Sequence, residues 1–96
     1  MKSINLTIRN KQGLHARPST KFVQIAEEFS GNITVKTKDN EVSGKNVMEL
    51  MLLALDYNEK FTVIADANDE KEEEQILSKL QHLVEVQKIL WNLNYK

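Results

Sequence analysis

The stretch Gly13-Leu14-His15-Ala16-Arg17-Pro18 decides the fold, because it marks a change from one type of periodicity to another. Before it, Ile4, Leu6 and Ile8 alternate with polar residues, which predicts a strand with one buried face. After it, the apolar residues recur with helical spacing. Pro18 fits the first turn of that helix, where its missing N–H costs nothing and its fixed φ is already helical. The stretch therefore predicts a strand-to-helix connection with His15 at or just before the helix N-terminus.

His15 in this position has the surroundings that phosphoryl chemistry needs. A helix N-terminus presents unpaired backbone N–H groups and a positive dipole end, and the Arg17 guanidinium can bind phosphate oxygens. Positive surroundings disfavour the imidazolium, so we expect a neutral, nucleophilic His15 near pH 7. A histidine at a helix start is often only a cap, but Gly13 lets the backbone curl around an anion. We therefore predict that His15 accepts and donates a phosphoryl group, in a cradle that includes Gly13, Ala16 and Pro18.

The overall composition limits the classes of protein that the chain can belong to. Its 96 residues predict one domain, and a net charge of −1 gives no electrostatic reason to expect nucleic acid or an anionic membrane as a partner. The absence of cysteine excludes disulfides, thiol catalysis and zinc–thiolate sites. The first residues lack the apolar run of a signal peptide, and no segment is apolar enough to span a bilayer. The simplest expectation is a cytosolic protein.

The remaining patterns predict the other elements and their order. Strands are expected over Ile4–Ile8, Ile33–Thr37, around Val42 and over Lys60–Ala65; helices are expected over Ala16–Phe29, from Asn46, and from Asp69 to about Leu93. This order predicts the α+β class: an open-faced β-sandwich, βαββαβα, with a four-stranded antiparallel sheet and three helices on one face.

Helix ends carry specific signals. Gly31 is expected to end the first helix in the left-handed conformation. Asn46 with Glu49, and Asp69 with Glu72, have the spacing of capping boxes. The acidic first turn from Glu70 suits the helix dipole and lacks the spacing of a metal loop.

The second helix is apolar on almost every side, although a short helix on a small domain buries only one. Leu50 and Leu53 are best placed for the core. The residues left over predict an exposed patch that binds partner proteins: Val47, Met48, Met51 and Leu52. The alternative is that a C-terminal extension of the chain covers this patch.

That extension follows a core of about residues 1–85. No Gly or Pro interrupts residues 69–96, so a continuous helix is expected to reach about Leu93. Within residues 86–96, the apolar side chains either fold back over the domain or contact a partner or a second copy: Ile89, Leu90, Trp91 and Leu93. His82 lies on the polar side of the helix and is expected to be a solvated residue without a role.

The chain resembles the HPr family, the phosphocarriers of the bacterial phosphoenolpyruvate-dependent phosphotransferase system, and the related NPr carriers. The resemblance rests on Gly13–Pro18, on Val42–Met51, and on Phe61–Ala65 with the acidic helix start after it, and it covers about residues 1–85. It implies that His15 accepts a phosphoryl group from Enzyme I on Nδ1 and passes it to IIA-type acceptors in sugar uptake. It also implies that Arg17 stabilises the transferring group, and that the protein is a monomeric carrier, without cofactor or metal, rather than an enzyme.

Three departures from the family bear on its partners. Asn46 stands where many members have a regulatory serine, so that switch is expected to be lost. Ala54 replaces a common glycine, and Gln24 and Glu27 replace basic residues on the first helix. An NPr-like nitrogen or regulatory carrier, or a non-catalytic interaction protein on the same fold, therefore remains an alternative. An RNA-binding module is disfavoured because Thr7, Thr34 and Thr62, expected on the open sheet face, are neither basic nor aromatic.

Overall fold

The computed structural model describes residues 1–9 and 16–86, with the side chains of residues 16–18 left aside. The elements are β1 (Lys2–Thr7), α1 (Ala16–Ala26), β2 (Asn32–Lys36), β3 (Glu41–Ser43), α2 (Val47–Leu52), β4 (Lys60–Asp66), α3 (Glu70–Gln81) and a π-helical turn (His82–Val86). Their order is the predicted one, and the predicted α+β architecture is confirmed.

The four strands form one antiparallel sheet in the order β1-β4-β2-β3. Val63 at the centre of β4 pairs with Ile4 on one side and Val35 on the other. Because side chains alternate across a strand, the apolar residues of all three strands face the helices. The opposite face is mostly polar, with Ile64 as an apolar member, and there the Thr62 hydroxyl donates to Asn5 Oδ1 at 2.8 Å. One face is therefore covered by helices, as predicted.

The core lies between this sheet and the helices. Phe22 and Ala26 of α1, Leu50 of α2 and Leu80 of α3 are fully buried against the strands. Each large apolar side chain that is buried in this way contributes about 1.5–3 kcal/mol. The core therefore fixes all three helices relative to the sheet, with α1 packed against both α2 and α3.

The antiparallel directions gather several chain ends at one end of the molecule, which we call the site end. β1 and β2 run towards it, and β4 starts there. α2 also runs towards it from the turn at Gly44, whose N–H donates to Ile33 at the far end of β2. The end of α3 is fixed there, because Glu85 Oε2 accepts from the Thr7 N–H at 2.9 Å.

The end of α1 differs from the prediction. The helix stops at Ala26 rather than Phe29, and tight turns follow in which Glu28 and Phe29 donate to the carbonyls three residues before them. Gly31 is not in the left-handed conformation, so that prediction is wrong. Glycine is required there because the backbone passes close to β4: a Cβ atom would clash with the Asp66 carbonyl oxygen and lie 2.8 Å from Ala67 Cβ.

For both predicted capping boxes, the cap residue is confirmed and the reciprocal glutamate contact is wrong. Asn46 Oδ1 accepts from the Glu49 N–H at 3.1 Å, and Asp69 Oδ1 accepts from the N–H groups of Lys71 and Glu72. The carboxylates reach elsewhere than predicted. Glu49 accepts from the Ser43 N–H at 3.1 Å, because the preceding turn brings Ser43 closer.

At the start of α3, it is Glu73 that reaches back, to the Ala67 N–H at 2.7 Å. At the other end, the prediction of a continuous α-helix is wrong after Gln81. The chain widens into the π-helical turn, where Leu83 and Val84 are both buried. The predicted continuation to Leu93 lies outside the described residues.

Candidate functional site

The described part of the motif begins with the backbone of α1. The helix starts at Ala16, so Pro18 lies in its first turn, as predicted. His15 and Gly13 lie outside the described residues, and so does the side chain of Arg17. The role predicted for these residues therefore stays a prediction, and the structure contributes the position of the helix that begins at Ala16.

The start of α1 is held firmly by its own packing. Ser19 and Phe22 are completely buried, and Val23 is nearly so. Since α1 packs against α2 on one side and α3 on the other, its N-terminus is directed to the site end between them. Whatever binds there meets a helix whose axis is fixed by the core.

An exposed apolar surface lies beside this helix on α2. Met48 is 71% exposed, Leu52 80% and Met51 39%, whereas Val47 is half-buried against the core. Leu50 is fully buried and Leu53 partly so, which is the division that the sequence predicted. We call Val47, Met48, Met51 and Leu52 the α2 apolar surface.

Tyr57 extends the exposed apolar area and was missed by the sequence analysis. It lies in the 53–59 loop between α2 and β4 and is 46% exposed. The loop is tied to the end of β1, because the Asn58 N–H donates to the Ile8 carbonyl and the Ile8 N–H donates to the Glu59 carbonyl. The available signal was an aromatic residue between two polar ones in a connecting loop.

The shifted pKa values lie at the opposite end of the molecule. The buried Glu73 carboxylate accepts from the Ala67 N–H, which lowers its pKa, and the Met1 amino group at 3.0 Å acts in the same direction against the effect of burial. Glu74 hydrogen-bonds to Lys2 at 2.9 Å and raises the pKa of that ammonium. These ion pairs fasten β1 to α3, far from the start of α1.

Within residues 1–9 and 16–86, no group of three or more His, Cys, Asp or Glu side chains is placed to hold a metal ion. No helix within these ranges is both long enough and apolar enough to cross a bilayer.

Comparison with known proteins identifies the class. The sequence model of the family described as "PTS HPr component phosphorylation site" matches residues 2–86. The phosphocarrier protein HPr of Xylella fastidiosa (strain Temecula1) is 44% identical over 75 residues, which are 78% of this chain and 84% of that protein. The crystal structure of HPr-C-His from Thermoanaerobacter tengcongensis superposes with a TM-score of 0.77 at 35% identity, covering 92% of this chain and 94% of that one.

The chain therefore belongs to the HPr family. It is a phosphocarrier of the phosphotransferase system and works with proteins of that system. A crystallised HPr dimer from Thermoanaerobacter tengcongensis is also similar, with a TM-score of 0.57 at 38% identity over 83% of this chain and 92% of that one.

Proposed function

We propose that His15 carries the phosphoryl group, accepting it from an Enzyme I-like donor charged by phosphoenolpyruvate and passing it to IIA-type acceptors in sugar uptake. The observation that carries this proposal is the complete Gly13–Pro18 motif at the start of α1, in a chain whose family match spans residues 2–86. A regulatory protein that had lost phosphotransfer would have no need of both His15 and Arg17.

The proposed transfer is a displacement at phosphorus. The lone pair of the neutral His15 imidazole attacks the phosphorus of the donor's phosphohistidine. A new N–P bond forms as the donor's N–P bond breaks, and the PO₃ group keeps its charge throughout. The same exchange, with His15 as the leaving group, delivers the phosphoryl group to the acceptor histidine. The protein turns over no small substrate by itself and is therefore a carrier rather than an enzyme, without a metal or cofactor.

Charge on the transferring oxygens is stabilised by the start of the helix. The Arg17 guanidinium supplies a fixed positive charge with several donors, and the backbone N–H groups of Ala16 and Arg17 add the anion site of a helix N-terminus. Gly13 and Pro18 shape the turn around the group. In this proposal the cradle is already in place before the donor arrives, because the core holds α1.

Donor and acceptors dock on the α2 apolar surface in this proposal. Both must bring a histidine to the same nitrogen of His15, so both must approach the site end. Flexible, polarizable methionine side chains suit a surface that binds more than one partner. Met48 and Met51 provide them beside α1.

Three residues that differ from the usual family sequence bear on whether the carrier serves sugar uptake or a nitrogen-related regulatory system. Asn46 caps α2 through its side-chain oxygen and has no hydroxyl, so regulation by serine phosphorylation at this position is lost. Gln24 is exposed on α1 and Glu27 is exposed just after it, at positions where basic residues are common in the family. These features keep an NPr-like regulatory role as the alternative, and transfer to purified sugar-specific and nitrogen-type IIA proteins distinguishes the two.

For the whole chain, we propose one HPr-like domain with a C-terminal extension from residue 86. The exchange takes place in the cytoplasm, where phosphoenolpyruvate charges the donor, and the carrier acts as a monomer without binding nucleic acid or contacting a membrane directly.

Labelling with phosphoenolpyruvate and Enzyme I tests the central proposal. The protein should take up an acid-labile, base-stable label, and His15→Ala should abolish it. His82 provides the matched control, since it is the other of the two histidines and lies exposed at the end of α3. His82→Ala should be labelled as the unsubstituted chain is, and label retained by His15→Ala would remove His15 from its role.

A further inference from the structure

We propose that residues 87–96 bind back onto the α2 apolar surface of the same chain and thereby cover the surface on which partners dock. The consequence for partners rests on the proposed function; the binding itself does not. Four observations support it: an exposed surface, a segment whose composition fits it, a short path between the two, and complementary charge.

Four large apolar or aromatic side chains are exposed on α2 and in the loop after it. Met48, Met51 and Leu52 are exposed on α2, and Tyr57 is exposed in the loop that follows. Exposed apolar patches on a protein surface commonly mark a binding site.

The segment has the apolar residues that such a surface binds. Five of its ten residues are large and apolar or aromatic: Ile89, Leu90, Trp91, Leu93 and Tyr95. The family match ends at residue 86, so these side chains are additions to the part of the chain that builds the common fold. An addition of this composition needs a surface of its own to bury it.

The part of the chain just before the segment and the α2 apolar surface are linked by hydrogen bonds at the site end. Glu85 accepts a hydrogen bond from the Thr7 N–H. The next residue, Ile8, is hydrogen-bonded to the 53–59 loop, which follows α2 and carries Tyr57. Val86 is 60% exposed at the start of this path. The distance from α3 to α2 is roughly two helix spacings of 8–10 Å each. A segment of ten residues extends up to about 33 Å, so it is long enough to reach α2.

Opposite charges also favour binding of residues 87–96 to the α2 apolar surface. The segment carries Lys88 and Lys96 and no acidic residue. Asp56 and Glu59 are exposed in the 53–59 loop, and Glu49 lies partly exposed on α2.

Trp91 is the only tryptophan of the chain and reports on the binding directly. In the full-length protein its emission should be blue-shifted from that of N-acetyltryptophanamide and protected from acrylamide. Leu52→Glu should shift the emission to the red and remove the protection, because it places a charge in the bound surface. Gln75→Glu adds the same charge at an exposed position of α3 and should change neither.

Three results would overturn the proposal. Emission like that of the free amide would show that the segment is unbound. A blue shift that survives both Leu52→Glu and Met48→Glu would place Trp91 on another surface. A blue shift that disappears on dilution, together with dimers in sedimentation, would make a second copy the occupant. Since no step of this experiment involves phosphotransfer, its failure leaves the role of His15 standing, and loss of the His15 role leaves the fluorescence result standing.

Discussion

Ala54 has a φ of 50°, in the left-handed region that a residue with a Cβ atom adopts at a cost of about 1–2 kcal/mol. It follows α2 directly and turns the chain into the 53–59 loop. The resemblance to the HPr family places a glycine at this position in many members, and the structure gives the physical reason. Asn58 also has a positive φ, of 70°, but asparagine tolerates it better.

We predict that Ala54→Gly stabilises the protein. Relief of the strain is partly offset by the greater freedom of glycine in the unfolded chain, so the free energy of unfolding should rise by about 0.5–1 kcal/mol. Chemical denaturation measures this change. Ala26→Gly, within α1, should have the opposite sign, and a destabilised Ala54→Gly would show that the strain is absent.

Arg17 is the second residue on which the transfer depends. Arg17→Ala should slow phosphorylation by Enzyme I by about 10²-fold, the typical effect of losing one donor that stabilises transition-state charge. Circular dichroism should show an unchanged fold. Arg9, the only other arginine, is exposed beyond β1, so Arg9→Ala is the control. Equal rates for the two variants would mean that backbone groups alone form the cradle.

Among the elements, α2 has the clearest division between residues that stabilise the fold and residues that are proposed to bind partners. Leu50 anchors it to the core, while Met48 and Leu52 face solvent. Changes on the two sides should therefore have different consequences, which allows docking to be tested without unfolding the protein.

Met48→Glu should weaken binding to Enzyme I by about tenfold or more, or about 1.4 kcal/mol, because it places a charge in an apolar contact. The domain should stay folded, since Met48 lies outside the core. Calorimetric titration measures the affinity, with Gln75→Glu as the charge-matched control. Unchanged affinity would show that donors bind elsewhere.

The start of α3 has a pH-dependent contact that is independent of the site. Because the Ala67 N–H holds the pKa of Glu73 below its ordinary value of 4.5, ionised Glu73 contributes stability above that value. This contribution is lost as the pH falls through the lowered pKa.

Glu73→Gln should therefore be less stable than the unsubstituted chain at neutral pH, and the difference should narrow below about pH 4.5. Thermal unfolding across this range measures it. Glu74 offers the matched control, since it is the neighbouring glutamate and is largely exposed. A difference for Glu73→Gln that is constant with pH would contradict the assignment.

For the whole molecule, element types and order followed from the sequence because the apolar periodicities are clean. Leu6, Phe22 and Val63 all lie in the core where their patterns placed them. The end of α1 did not follow, because Gly31 is required by a contact with β4 that no local pattern records.

Long-range contacts also explain what the sequence analysis missed near the site. The exposure of Met48 and Leu52 was predictable from the surplus of apolar residues on a short helix. Tyr57 and Glu85 were not, because their positions depend on hydrogen bonds from β1 to a distant loop and to the end of α3. The motif itself identified His15 and Arg17 as candidates from sequence alone.

The topology explains why a short chain can serve as a carrier. It brings the start of α1, the end of α2 and the end of α3 to one end of the molecule, so that one face presents the proposed phosphoryl site and its docking surface. The opposite face of the sheet and the far ends of the strands contribute to neither the proposed phosphoryl site nor the docking surface.

The most direct test of the central claim is to locate the phosphoryl group in the protein after reaction with Enzyme I and phosphoenolpyruvate. Nitrogen–phosphorus coupling in the NMR spectrum of a ¹⁵N-histidine-labelled sample identifies the nitrogen that carries it. We predict coupling to Nδ1 of His15 and an unchanged His82 ring. Coupling to His82, or phosphorus attached to no histidine, would contradict the account.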